Sequence, residues 1–191
     1  MGRGHGSSRG GGPGGGVALG ATERGYTQTL AKAMLSKEVE LKKNDFETTV
    51  AFDDDGNVTF TKVGGARRVS GISVSDVENR YVTHNHPTNA SLSKSDVTSA
   101  IEGNMKEHRA AAPNFTYSMK RPAKGWPSLR KATSVYNDAE NSITAWNQSY
   151  IRNYKGDKNV AHRRALAIKN HRINKLFASR LGIDYTKQSR T

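Results

Sequence analysis

The stretch "THNHPTNASLSKSD", Thr83 to Asp96, sets two histidines one residue apart, then a proline, then a serine and an aspartate three residues apart. The preceding "RYV" is aromatic and β-branched, so "RYVTHNH" reads as a strand that Pro87 ends. Side chains two apart on a strand share a face, which puts His84 and His86 together and directs Asn85 the other way. After a short loop, "SKSDVTSAIEGNMKEH" reads as a helix opened by serine and aspartate. A strand, a loop and a helix in this order point to a mixed α/β layer architecture. The same letters allow two readings: a metal site, or a strand, turn and capped helix that happen to contain histidines.

Working outward, "YTQTLAKAMLSKEVELKK" (26–43) spaces Leu30, Ala33, Met34, Val39 and Leu41 at roughly helical intervals and predicts an amphipathic helix. "FETTVAF" and "VTFTKVGG", joined by "DDDGN", predict a β-hairpin; Asp53, Asp54 and Asp55 lack the pattern of a calcium loop and read as a solvated turn. "SVSDVEN" is one or two turns of helix, and "NFTYSMKRP" is a further strand. Beyond Trp126 the chain reads as helical, roughly 129–150 and 160–181, with Gly182 as a C-cap. The opening "MGRGHGSSRGGGPGGG" has nothing to bury and reads as a flexible linker. The expected organisation is a tail (1–25), a domain (26–125) and a basic helical C-terminal extension (126–191).

The 191 residues carry a formal charge of +13 and only 34% are hydrophobic, a balance that draws polyanions or acidic protein surfaces. From Ile151 onward only Asp157 and Asp184 oppose eleven cations, so the last helix is a candidate contact for nucleic acid or an acidic partner, beside the alternative of a solvated face. No cysteine is present, which excludes disulfides and leaves histidine and carboxylate to hold any metal. There is no apolar span of membrane length and no signal-peptide pattern, so the expected setting is the cytoplasm or a virion, without a membrane.

Two histidines on one strand face suit one zinc ion, and Asp96 in the first turn of the following helix can close on it, leaving a fourth position for water. Zinc lowers the pKa of its water and polarises a carbonyl, and a general base must then take the proton. Glu47, on the hairpin, is the candidate base because an adjacent strand can bring it beside the histidines. Glu78 is the next candidate.

The order Glu47, then His84-Asn85-His86-Pro87, then Ser93-Lys94-Ser95-Asp96 resembles the JAMM signature of JAB/MPN-type zinc metallopeptidases: a glutamate, H-x-H-P, and S-x-x-D. The "HNHP" form is closest to RadC-like members and to JAB-like domains of phage Mu F-type head-morphogenesis proteins. There a "D-x-x-G-N-V" hairpin precedes the motif and a "T-Y-x-M" strand with a nearby "R-P" follows it. Here these stand as "DDDGNVTF" and "FTYSMKRP", so the resemblance spans about 45–122. Leu92 stands where the phage-like pattern favours phenylalanine, and the spacing to Asp96 is one residue shorter than in the eukaryotic deubiquitinating members. The resemblance implies a mixed β-sheet flanked by helices, Zn2+ on His84, His86 and Asp96, Glu47 as base, Ser93 as oxyanion donor, and a peptide or protein substrate.

Plainer readings accompany each motif. Ser-x-x-Asp is also a helix cap, and Ser73 to Asp76 repeats it with no histidines nearby. The histidines of HNH nucleases are dispersed over a hairpin and a helix, whereas here they are contiguous. His162 and His171, nine apart, are poorly spaced for one ion, His108 has no evident partner, His5 lies in the tail, and Trp126 and Trp146 read as packing residues. The expected function is peptidase or isopeptidase chemistry of the JAMM type. The alternatives are a non-catalytic phage structural or nucleic-acid-associated protein on the same fold, and a metal-dependent nuclease or toxin domain.

Overall fold

A computed structural model describes residues 25–66 and 69–189. The glycine-rich tail and His5 lie outside them.

Six strands form one mixed sheet: β1 (Thr48–Phe52), β2 (Val58–Val63), β3 (Tyr81–Asn85), β4 (Glu107–Ala111), β5 (Phe115–Lys120) and β6 (Asp184–Ser189). The order across it is β2-β1-β3-β4-β5-β6; β3 and β4 are parallel and every other pair is antiparallel. Among the described residues five helices accompany it: α1 (Gln28–Leu41), α2 (Val74–Val77), α3 (Lys94–Glu102), α4 (Leu129–Asn153) and α5 (Lys158–Leu181). The mixed α/β class expected from the sequence is therefore observed. None of these helices is long and apolar enough to cross a membrane.

The sheet is covered on both faces, which is why every residue of β1, β3 and β4 is buried. On one face α1 presents Leu30, Met34 and Leu41 to Val50, Phe52 and Tyr81. The other face carries the larger core, where Leu92, Val97 and Ala110 meet Tyr117, Met119, Tyr136, Ile173 and Phe177. That cluster draws on α3, α4, α5 and the strands together. The helices expected as an extension from residue 126 thus share their interior with the sheet, and β6 returns to pair with β5.

Several local readings need correction. The helix expected to run through His108 ends at Glu102 with Gly103 as its cap, and "EHRAA" is strand β4. β6, "DYTKQS", was expected as neither helix nor strand; it is an exposed edge strand whose polar composition carries little periodic signal. On α1 the inward row is Leu30, Met34, Glu38 and Leu41, while Val39 is 42% exposed. Glu38 can point inward because Arg109 of β4 meets it, Nε to Oε1 at 2.6 Å and Nη2 to Oε2 at 3.3 Å. Arg109 Nη1 also donates to Glu107 at 3.0 Å, and Thr83, Tyr26 and Ser118 donate to the two carboxylates. Gly56 in the hairpin turn (φ +86°) and Gly182 after α5 (φ +65°) take left-handed conformations that suit glycine.

Candidate metal centre

The β3–α3–β4 crossover places the N-terminus of α3 beyond the carboxyl end of β3, where α/β sheets commonly seat ligands. The alternation expected along β3 is observed. His84 and His86 face the α3 side, with their Nε2 atoms 2.9 Å apart. Asp96 stands opposite, Oδ1 at 3.6 Å from His84 Nε2 and Oδ2 at 3.5 Å from His86 Nε2. One ligand atom from each of the three lies within 4.8 Å of the others. A tetrahedral ion with bonds of about 2.0–2.1 Å needs ligand atoms roughly 3.3 Å apart, so small adjustments would seat it. The shorter loop does not carry Asp96 away from the histidines.

The hydrogen bonds around this triad orient its donor atoms. His86 Nδ1 lies 3.0 Å from the Ala90 carbonyl and donates to it, which turns Nε2 toward His84 and Asp96. His84 Nδ1 is buried without a hydrogen-bond partner among the described residues, so the polar contacts of this ring are made through Nε2, toward His86 and Asp96. Burial alone would raise the Asp96 carboxyl, but the charge of His84 and hydrogen bonds from His84 and His86 hold it well below 3.8. Burial would lower His86; hydrogen bonding and charge from Asp96, with the Ala90 carbonyl, raise it above 6.5 instead. Two imidazoles around an ionised carboxylate, with lone pairs that converge once one proton leaves, form a donor set that can hold a metal ion.

Glu47 enters the same cavity, a space of about 710 Å³ lined also by His84, His86, Ser93, Asp96 and His108. It sits one residue before β1, bonded across to Gly64 and Gly65, Glu47 N to Gly65 O at 2.9 Å. Thr49 pairs with His84, and continuing that antiparallel register sets Glu47 across from His86. Burial raises the Glu47 carboxyl above 4.5, with His84 and His86 opposing and Asp96 adding to the rise. Glu78, by contrast, is an exposed residue capping α2, where Asn104 Nδ2 lies 3.4 Å from it.

Asn85 points away from the histidines, and its contacts are specific. Its Oδ1 accepts from Thr48 N at 2.7 Å and its Nδ2 donates to Phe46 O at 2.9 Å. These two peptide groups flank Glu47. One three-residue run therefore supplies two candidate ligands on one side and clamps the backbone of the candidate base on the other.

Both serine-aspartate pairs form caps. Ser93 N donates to Asp96 Oδ2 at 2.6 Å and Asp96 N donates to Ser93 Oγ at 3.2 Å; Ser73 N donates to Asp76 Oδ2 at 2.8 Å. Only Asp96 also faces histidines. The Ser93 hydroxyl accepts within its cap, so its own proton remains to be donated into the cavity.

The sequence reading missed His108. It is buried on β4 with its ring 4.8 Å from that of His84, and Nδ1 donates to the Asp96 carbonyl at 3.0 Å. Burial, with the nearby charge of His84, pushes it down to about 4, so it stays neutral. Its alternation with Glu107 and Arg109 was the signal, obscured because both faces of β4 carry polar groups. His171 Nδ1 lies 2.9 Å from the Tyr185 hydroxyl. That hydroxyl lies 2.7 Å from Ser91 Oγ, and buried Asn174 donates to Ser91 Oγ at 3.1 Å and Leu92 O at 2.7 Å. The ligand-bearing loop is thus tied to α5 and β6. Trp126 is a packing residue, its Nε1 donating to Met105 O at 2.8 Å, whereas Trp146 is 44% exposed.

The chain matches no known family model, no curated protein and no solved structure.

Proposed function

We propose that this chain is a zinc-dependent hydrolase of the JAB/JAMM type that cleaves a peptide or isopeptide bond. The observation that carries the reading is the convergence on one cavity of Glu47 with His84, His86, Ser93 and Asp96, residues from all three pieces of the signature order. Zinc, held by His84, His86 and Asp96, would supply Lewis acidity that acidifies water and polarises a carbonyl oxygen.

The chain's own residues account for the remaining chemistry. Glu47 takes a proton from water as the water oxygen adds to the carbonyl carbon. Ser93 donates its hydroxyl proton as a hydrogen bond to the carbonyl oxygen as negative charge develops there. Protonated Glu47 then delivers its proton to the amide nitrogen as the C–N bond breaks. The Ala90 carbonyl keeps His86 in one tautomer, and Asn85 fixes the peptide groups on either side of the base.

The test combines metal content with cleavage. Zinc-loaded wild type should hydrolyse members of a fluorogenic peptide library or a ubiquitin-like fusion. Glu47→Gln should keep its zinc and lose cleavage by about a hundredfold or more. Cleavage that survives Glu47→Gln, or that persists in a zinc-free protein, contradicts the reading; chelator-sensitive nicking of plasmid DNA without any peptide cleavage would replace it with a nuclease.

A further inference from the structure

The metal-site reading leaves unused the distal half of the α4–α5 pair. Residues 144–169 join none of the apolar clusters among the described residues, and their buried members are only Asn147 and the small Ala161 and Ala165. This segment, with the turn beyond it to Arg172, holds Arg152, Lys155, Lys158, Arg163, Arg164, Lys169 and Arg172 against a single acid, Asp157. Asp157 is occupied as the N-cap of α5, accepting from Asn159 N at 2.8 Å. Arg152, Lys155, Lys158, Arg163 and Arg164 are exposed, and none pairs with a carboxylate among the described residues. A solvated helical face usually interleaves both signs, because like charges on neighbouring turns repel. A narrow two-helix pair with one sign calls for an external polyanion.

The aromatic side chains specify which polyanion. Trp146 and Tyr150 of α4 and Tyr154 at its C-cap recur every fourth residue and form a row. The Trp146 and Tyr150 rings are nearly parallel, 4° apart with centroids at 5.4 Å, and Tyr154 follows at 5.7 Å. The Arg172 guanidinium lies 3.6 Å from the Trp146 ring centroid, and Arg164 Nη1 donates to the Tyr154 hydroxyl at 3.2 Å. Rings in a row beside unpaired cations offer π-faces at one spacing and phosphate partners at another, the combination that holds unpaired bases. An acidic polypeptide would use the cations and leave the rings idle, and a duplex keeps its base faces stacked inside. Asn170 of α5, two residues before Arg172, lines the cavity of the candidate metal centre.

We propose that the distal α4–α5 hairpin binds single-stranded nucleic acid, with Tyr150 and Tyr154 stacking on bases, Trp146 held between Arg172 and Tyr150 as their support, and Arg152, Arg163 and Arg164 meeting phosphates. The full-length protein should bind fluorescently labelled oligo(dT) or oligo(U) in anisotropy titrations. Preference between the two arms assigns DNA or RNA. Binding should weaken with salt, the log–log slope being about −0.7 per phosphate contacted. Arg163→Glu combined with Arg164→Glu, both at exposed positions, should weaken binding and flatten that slope. Tyr150→Leu, with helicity unchanged by circular dichroism, should weaken oligonucleotide binding about fivefold or more while keeping the slope. His84→Ala should leave binding intact, which separates this surface from the metal-site reading. Absence of oligonucleotide binding at low salt, or binding insensitive to both hairpin variants, overturns the proposal. Equal affinity for polyglutamate or a duplex of the same length, unaffected by Tyr150→Leu, overturns it in favour of unselective charge.

Discussion

Asn85 sits between two candidate ligands yet has no place among them, and its role is visible only from the opposite side of the sheet. Asn85→Ala leaves Thr48 N–H and Phe46 C=O without this partner, a cost of about 1–3 kcal/mol for the buried Thr48 N–H. We expect zinc stoichiometry to persist and the rate constant for hydrolysis to fall, because the base moves while the ligands stay. Loss of zinc with unchanged turnover per bound ion would contradict that assignment. Glu47 has a signature of its own. A carboxyl raised above 4.5 in the folded chain binds more protons there than when unfolded, so its contribution to stability declines as pH rises from 4.5 through the folded value. In metal-free protein, Glu47→Gln should therefore be as stable as wild type or more stable at neutral pH. Carboxyl NMR should place the Glu47 midpoint above 4.5, and a midpoint at or below that value contradicts the argument. Ser93→Ala should lower the hydrolytic rate about a hundredfold or more and remove a cap contributing about 1 kcal/mol. Ser73→Ala is a comparison, since Ser73 lines the same cavity but caps with Asp76, which is not paired with a histidine; it should leave zinc content unchanged.

Among the elements, the strand-loop-helix around Pro87 was legible because each local signal agreed: same-face histidines, a strand-ending proline and a serine-aspartate cap. The hairpin was legible for the same reason, with β-branched runs on either side of an Asp-Gly-Asn turn. β4 was hidden because Glu107 and Arg109 belong to a buried ionic cluster whose other member, Glu38, lies 71 residues from Arg109 in the chain. No periodicity of apolar residues can report such a strand, and His108 was hidden with it. Likewise Val39 was taken for an inward residue because Glu38 beside it has no local reason to be buried. The Asn174, Ser91 and Tyr185 contacts depend on a strand that only the finished sheet creates. Asn174→Ala frees Ser91 Oγ and Leu92 O from their shared donor. It should weaken zinc binding about tenfold, in the range typical of groups supporting metal ligands. Isothermal titration would read this, and an unchanged affinity would make the network a packing feature alone.

At the scale of the molecule, α1 and the C-terminal pair α4–α5 clasp opposite faces of one sheet, and the candidate centre lies on the α4–α5 side. The α1 side is held partly by charge. Replacing Arg109 by leucine would strand Glu38 and Glu107 in the interior, a change that typically costs about 3–5 kcal/mol. Urea denaturation should show a loss of that order, and a loss under about 1 kcal/mol would mean water or other donors already neutralise the carboxylates. The candidate site borrows from almost every layer: Glu47 from the approach to β1, the histidines from the end of β3, Asp96 from α3, His108 from β4 and the supporting Asn174 from α5. This dispersal explains why the ligands could be read from a fourteen-residue stretch while their support could not.

The central claim is that His84, His86 and Asp96 hold one zinc ion, and the metal content of purified protein tests it most directly. Inductively coupled plasma mass spectrometry should find one zinc per chain in wild type and in Glu47→Gln, and substoichiometric zinc in His86→Ala and in Asp96→Ala. A wild-type chain without stoichiometric zinc after incubation with the metal, or a His86→Ala chain that retains as much as wild type, would contradict it.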